Sequence, residues 1–374
     1  TNDASLLLPI GALGTVYRNV GVPAWETADQ DRDGNPVEGP GFPATLTVIG
    51  TQPGTRVTVT LPAGVQVDED PTQRSQRNGQ VLSAVLGDSE VWTIEARQTV
   101  RVGNDYIGQD LSGARVEATA PVAVFTGHQC TYYPQDSAAC DHLEEQLFPV
   151  DAWGAQFLLT PPKLRSPNPA LARETTYWKL VADTDATVVT LGVPFADLSP
   201  APPGAAGVPD CGARLTGPDQ ITLQAGEFCE FGSRRPVAVQ ASAPVQIMGI
   251  MSGQATVGFN FDPAGQNAGD PAIWIVPPQR QFRRSYAFLA PDTYYVDYVT
   301  VVAPVGTELT LDGQPVDMIG AERVAGADGF FVQAIEIEDG PHRIEGSAPF
   351  GILVYAYDDY VSYAFTGGLD LSKR

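Results

Sequence analysis

Apolar and polar positions alternate along most of this chain in short runs broken by turns. In "ATLTVIGTQPGTRVTVT" (Ala44 to Thr60) every second residue is apolar on either side of a Pro-Gly turn, the pattern of a half-buried β-hairpin. "WKLVADTDATVVTL" (Trp178 to Leu191) and "YVTVVAPVGTELTL" (Tyr298 to Leu311) repeat the plan of strand, tight turn and Thr-Val-Thr-like alternation. No run has the length and period of a long helix.

Each copy of that pattern has the same neighbours. A proline-led segment opens it: "LPIGALGTVY" with Pro9, "FPVDAWGAQF" with Pro149, and "VPPQRQFRRSY" with Pro277, the last carrying one extra residue. An Ala-Pro dipeptide followed by an apolar strand closes it, at Ala120-Pro121 in "EATAPVAVF", Ala243-Pro244 in "QASAPVQIM" and Ala348-Pro349 in "EGSAPFGIL". Matched features in the same order divide the chain into three related units, 1–141, 142–269 and 270–374. The period is that of a domain repeat, since solenoid repeats run about 20–50 residues. The expected fold is all-β: three tandem antiparallel β-sandwich-like units. The connections between them are short enough to let the units share sheets and fuse into one compact body.

Between the strands lie Gly/Pro/Asp-rich stretches that read as loops, "ETADQDRDGNPVEGPG", "PFADLSPAPPGAAGVPDCG" and "FDPAGQNAGD". "CDHLEEQL" is the best candidate for a helical turn, with Asp141 as cap and Leu143 and Leu147 on one face at i, i+4.

Composition narrows function. A net charge of -22 argues against nucleic acid, which needs a basic face, and suits a cation or a basic partner. No apolar run reaches the roughly 18–20 residues of a membrane span, so membrane insertion is not expected. Thr1 opens the chain without methionine or an apolar leader, as removal of a targeting segment would leave it. Serine-hydrolase elbows and Walker or dinucleotide glycine motifs are missing. A carboxylate pair for glycoside hydrolysis is a property of the fold and stays open here.

The segment "GHQCTYYPQDSAACDHLEEQ" (Gly127 to Gln146) concentrates two of the three histidines and two of the four cysteines. Cys130 and Cys140 are ten apart and Cys211 and Cys229 eighteen apart, so the simplest connectivity is two local disulfides and an oxidising, extracytoplasmic setting. The rival is a zinc site of Cys130, Cys140, His128 and His142, although the usual Cys-x(2–4)-Cys knuckle is missing; with the cysteines paired, His128, Asp141 and His142 are still a ligand set for zinc or another transition ion. A better metal signal is "DQDRDG": Asp29, Asp31 and Asp33 alternate and Gly34 and Asn35 follow, as in the first half of a calcium loop. Pro40 stands where the loop's last acid belongs, leaving Glu38 to substitute, and a plain solvated turn has the same composition.

The segments "GHQC…CDHLEEQLFPVDAWG", "GDPAIWIVPPQRQF…YAFLAP", "YVTVVAPVGTELTLDGQPV" and "GPHRIEGSAPFGILVYAYDDYVSYAFTGG" resemble the IgGFc-binding protein N-terminal domain family. They fall in all three units and span nearly the whole chain. The resemblance implies an extracellular β-rich module of the kind found in animal mucus proteins and bacterial surface or secreted proteins, with the Cys130–Cys140 segment as a stapled loop. The "SYAFTGG" ending departs from the aromatic-Pro-Gly ending of that family.

Tyrosines at near-alternate positions, Tyr294 and Tyr295, then Tyr355, Tyr357 and Tyr360, offer ring stacking to a sugar or anchors to a protein if their strands are exposed, and core packing if they are not. The resulting expectation is a secreted or surface-displayed, non-enzymatic adhesion or binding protein for a glycoprotein, glycan or other surface protein, with calcium as its one candidate cofactor. The alternative is a self-assembling structural subunit of a surface layer, sheath or filament, which would associate with its own copies through strand edges.

Overall fold

The Ala-Pro dipeptides lie at the bend of the longest strand of each unit. In the computed structural model these strands are Arg115–Thr131, Val237–Ile250 and Gly340–Asp358. The structure describes residues 4–370 except 31–35, 68–75, 79, 97–99, 103–104, 136–139, 167–173, 202–207 and 258–267. Of 25–30, 36–41, 76–78, 100–102 and 105–107 it describes the backbone alone.

Each long strand pairs on one side with the strand that opens its unit, Gly14–Arg18, Gly154–Leu159 or Arg283–Ala290. The register breaks in the same way each time. Gly14 faces Val122 but Val16 faces Glu117; Gly154 faces Val245 but Gln156 faces Gln240; Arg283 faces Phe350 but Ser285 faces Glu345. In every unit the long strand advances five residues while its partner advances two, and the Ala-Pro pair lies inside that bulge. Proline has no N–H to give to a ladder, so a bulge is where a strand interior tolerates it.

The bulge turns the strand from one layer into a second. Its first half pairs with Thr55–Thr60, Thr187–Leu191 or Leu309–Leu311, and its second half with Ala44–Gly50, Thr176–Ala182 or Val296–Pro304. The strand–turn–strand segments are therefore arches that cross between layers, not the hairpins that their alternation suggested. Alternation reports which side chains face the core and carries no information about which strand lies alongside. Asp141–Gln146, Ile273–Ile275 and Val361–Thr366 complete the second layers. The result, among the described residues, is three large antiparallel sheets, each curled into a sandwich with one strand common to both layers.

Other sequence expectations change. Asp141–Gln146 is a strand and Asp141 caps no helix. Leu143 and Leu147 also share a strand parity, so an i, i+4 spacing could not separate the two conformations, and tertiary pairing with Arg115–Thr131 decided it. The stretch read as a loop before Ala44 contains the paired strands Trp25–Gln30 and Pro36–Phe42. In the third opening it is Pro278, not Pro277, that precedes the short 3-10 turn, matching Pro9 and Pro149 with no extra residue.

The cores are continuous. Thr176–Ala182 is buried on both faces: Trp178, Leu180 and Ala182 point into the core of their own unit, while Tyr177 and Val181 join Leu46, Val48 and Leu143 of the first. One unit further, Val354 and Ala356 face their own core while Leu353, Tyr355 and Tyr357 face the second unit's. Glycine permits close approach where the units join, since a Cβ on Gly14 would meet the Pro149 ring and one on Gly154 the Pro278 ring. Among the described residues no helix is long and apolar enough to cross a membrane.

Candidate functional site

The cysteines pair as Cys130–Cys140 and Cys211–Cys229, with Cα atoms 5.2 and 4.9 Å apart. The first staples the end of the long strand Arg115–Thr131 to the start of Asp141–Gln146, so neither thiolate is available to zinc. His128 is buried, accepts a hydrogen bond from the Cys130 N–H at Nδ1 (3.2 Å), and is pushed down to about 3 by burial, which keeps it neutral. His142 is partly exposed, 3.7 Å from Glu144. Asp141 is buried and raised to about 7, again chiefly by burial. Among the described residues no group of three or more His, Cys, Asp or Glu is placed to hold a metal. Asp31, Asp33 and Asn35 lie outside the described residues, as do the side chains of Asp29 and Glu38.

The tyrosines do not form one exposed face. Tyr355 and Tyr357 are in the core because their strand is covered on both sides. Tyr294 is half-buried, edge-on to Tyr363 at 4.8 Å. Only Tyr295 and Tyr360 are largely open to solvent, at 70% and 53% exposure.

The buried tyrosines instead support a half-open cleft of about 420 Å³ between the second and third units. Pro161, Pro162 and Lys163 form one wall, Arg234 and Pro236 stand beside it, and Thr300, Glu322 and Gln333 come from the third unit. Tyr298 and Tyr355 stack at 5.5 Å, and Lys163 Nζ sits 4.7 Å over the Tyr298 ring. The Lys163 N–H donates to Tyr355 Oη (2.9 Å), and Tyr357 Oη donates to the Lys163 carbonyl (3.1 Å). Arg165 anchors the same segment through Glu174 at 2.8 Å and the Ser252 carbonyl at 2.6 Å. The wall is thus rigid and carries cations over aromatic faces, while the Gln333 Oε1 in the opposite wall makes no hydrogen bond. Glu322 is the one carboxylate among its described lining residues.

A second constellation lies in the interface of the first and second units. Lys179 shares a face with Tyr177 and Val181 and therefore points at the first unit, where Nζ donates to Asp110 Oδ2 (2.8 Å) and to the Gly21 carbonyl (2.7 Å). Glu230, opposite Lys179 on the neighbouring strand, has Oε2 3.7 Å from Nζ and accepts a hydrogen bond from Tyr133 on its other oxygen. Burial raises the Glu230 carboxyl, against the pull of Lys179. Sequence reading missed this group and the cleft. The available signal was a lone lysine inside the unbroken apolar run "YWKLVA" and a lone glutamate in "FCEF".

A model of the IgGFc binding protein family matches residues 3–356. The human IgGFc-binding protein is 25% identical over 368 residues, an alignment that covers 97% of this chain and 6% of the human one. No solved structure matches. With the match running through all three sheets, the chain belongs to the IgGFc binding protein family.

Proposed function

We propose that the chain is an extracellular, non-enzymatic binding module that recognises a glycoprotein. The family match over residues 3–356 carries this reading. An immunoglobulin Fc region is the first candidate, because the human relative is named for that partner. The two disulfides suit an oxidising compartment and display outside the cell. The cleft walled by Lys163, Arg234, Glu322 and Gln333 is the recognition site, offering cations, a carboxylate and an amide between proline rings to a sugar or a loop of polypeptide. Adhesion at a cell surface or in a secreted layer follows if the partner is itself displayed there.

The test is binding of the purified chain to immunoglobulin Fc, mucins and a glycan panel, in calcium and in chelator, with Arg234→Ala and Gln333→Ala alongside. Saturable binding weakened about tenfold or more by either substitution supports the cleft, since removing one partner of a charged contact costs about 1.5–3 kcal/mol. Binding that both variants retain places the site elsewhere. Loss in chelator alone directs attention to Asp29, Asp31, Asp33, Asn35 and Glu38. A blank panel from folded protein overturns the glycoprotein reading.

A further inference from the structure

The Lys179 network takes no part in the cleft, and its composition is unusual for a mere interface. An amine and two carboxyls meet with the Lys179 and Glu230 side chains fully buried and that of Asp110 6% exposed. A buried charge is retained only where it is well compensated, yet Glu230 Oε2 makes no hydrogen bond and faces the amine from 3.7 Å. Aromatic rings close the site: Phe228 lies 5.4 Å from Nζ, and Tyr133 packs edge-on to Tyr177. Asp110 is held for attack, with Oδ1 accepting from the Ser112 N–H (2.7 Å) and Oδ2 touching the amine. Gly21 and Asp110 belong to the first unit, Lys179 and Glu230 to the second.

We propose that Lys179 and Asp110 become joined by an intramolecular isopeptide bond that the folded protein forms itself, with Glu230 as proton relay. In the first step one proton passes from the Lys179 ammonium to the Asp110 carboxylate, leaving an amine and a carboxylic acid in contact. The amine lone pair then attacks the Asp110 carboxyl carbon. Glu230 takes a proton from the attacking nitrogen and delivers it to the departing hydroxyl, so that a C–N bond forms, a C–O bond breaks and one water leaves. Ammonium plus carboxylate gives amide plus water, with no oxidant or co-reactant. Burial keeps the Glu230 carboxyl raised, as a relay that exchanges protons requires. The product is a covalent tie between two units that also meet through packing, the Arg18 and Arg115 pairs to Asp183, and hydrogen bonds of Tyr133 to Glu230 and Gly253.

The deciding measurement is the intact mass of the full purified chain, denatured and with its disulfides reduced. The expected mass is one water below that of the sequence. Trypsin should then leave Lys179 uncut and yield a branched peptide joining 102–115 to 174–214. Folded protein with the full sequence mass and no branched peptide overturns the proposal, and this outcome needs no variant to fold. Lys179→Arg and Glu230→Gln are expected to show the full mass. Loss of water by folded Glu230→Gln would overturn the relay.

Discussion

At the scale of single residues, burial sets the response to pH. Glu145 is pushed up to about 8, chiefly by burial, even though one of its oxygens accepts the Ile275 N–H at 3.1 Å. Asp141 rises to about 7 and Asp270 to about 6 for the same reason. The folded state therefore keeps protons that the unfolded chain releases near 4, and stability falls as pH rises through the folded values, then levels off. His128 has the opposite sign. Its folded value lies near 3 against 6.5, so its contribution is complete above 6.5 and is lost as pH falls below it. Above about pH 6.5 the carboxyls act together with His342, which against the pull of burial is raised by its hydrogen bonds to Asp312 and Glu338, and melting temperature should decline toward about pH 8.5. Glu145→Gln keeps the acceptor for Ile275, so it should flatten that decline and raise stability at the upper end by on the order of 2 kcal/mol. A melting series of both proteins decides it, and an undiminished slope in the variant would assign the effect to other groups.

At the scale of elements, the bulge needs a latch, and a tyrosine supplies it. Tyr17 Oη accepts the Gly14 N–H (2.8 Å) and donates to the Val122 carbonyl (2.7 Å), bridging the backbone where the ladder is broken. Tyr286 repeats this between the Arg283 N–H and the Phe350 carbonyl. The second unit has Phe157 at the same place. Tyr17→Phe should thus cost about 1–3 kcal/mol in a denaturant titration, because it strands buried backbone groups. A loss below about 0.5 kcal/mol would mean that water replaces the hydroxyl. The Ala-Pro motif and the proline-led openings made the repeat legible from sequence, since both are fixed by local backbone chemistry. Pairing was not legible: the Ala44–Thr60 alternation fits hairpin and arch alike, and the parity of Leu143 and Leu147 fits strand and helix alike. For the same reason Tyr355 and Tyr357 could not be placed, because whether a strand has one covered face or two depends on a unit elsewhere in the chain.

At the scale of the whole molecule, the question is whether the units are separable. Each buried Val, Ile or Met side chain contributes about 1.5–3 kcal/mol, against a net stability of about 5–15 kcal/mol for a typical domain. Val181, Met248 and Ile250 of the second unit, with Ile273 and Ile275 of the strand paired to its sheet, all lie in the first unit's core. Their removal alone would match or exceed what a single sandwich has to spare, so a lone first unit should not hold its native fold. The second and third units are tied likewise, by Tyr298, Leu353, Tyr355 and Tyr357 in the second unit's core and by backbone bonding of Ala238 to Ala325 at 2.9 Å. Calorimetry should accordingly show one endotherm whose van't Hoff and calorimetric enthalpies agree. Gly154→Val pushes a side chain into the Pro278 ring at the junction of the second and third units, and it should move that single transition downward without splitting it. Separate transitions in the parent chain would show that each curled sheet is autonomous. A transition that splits only in the variant would place the coupling of the third unit at that one junction.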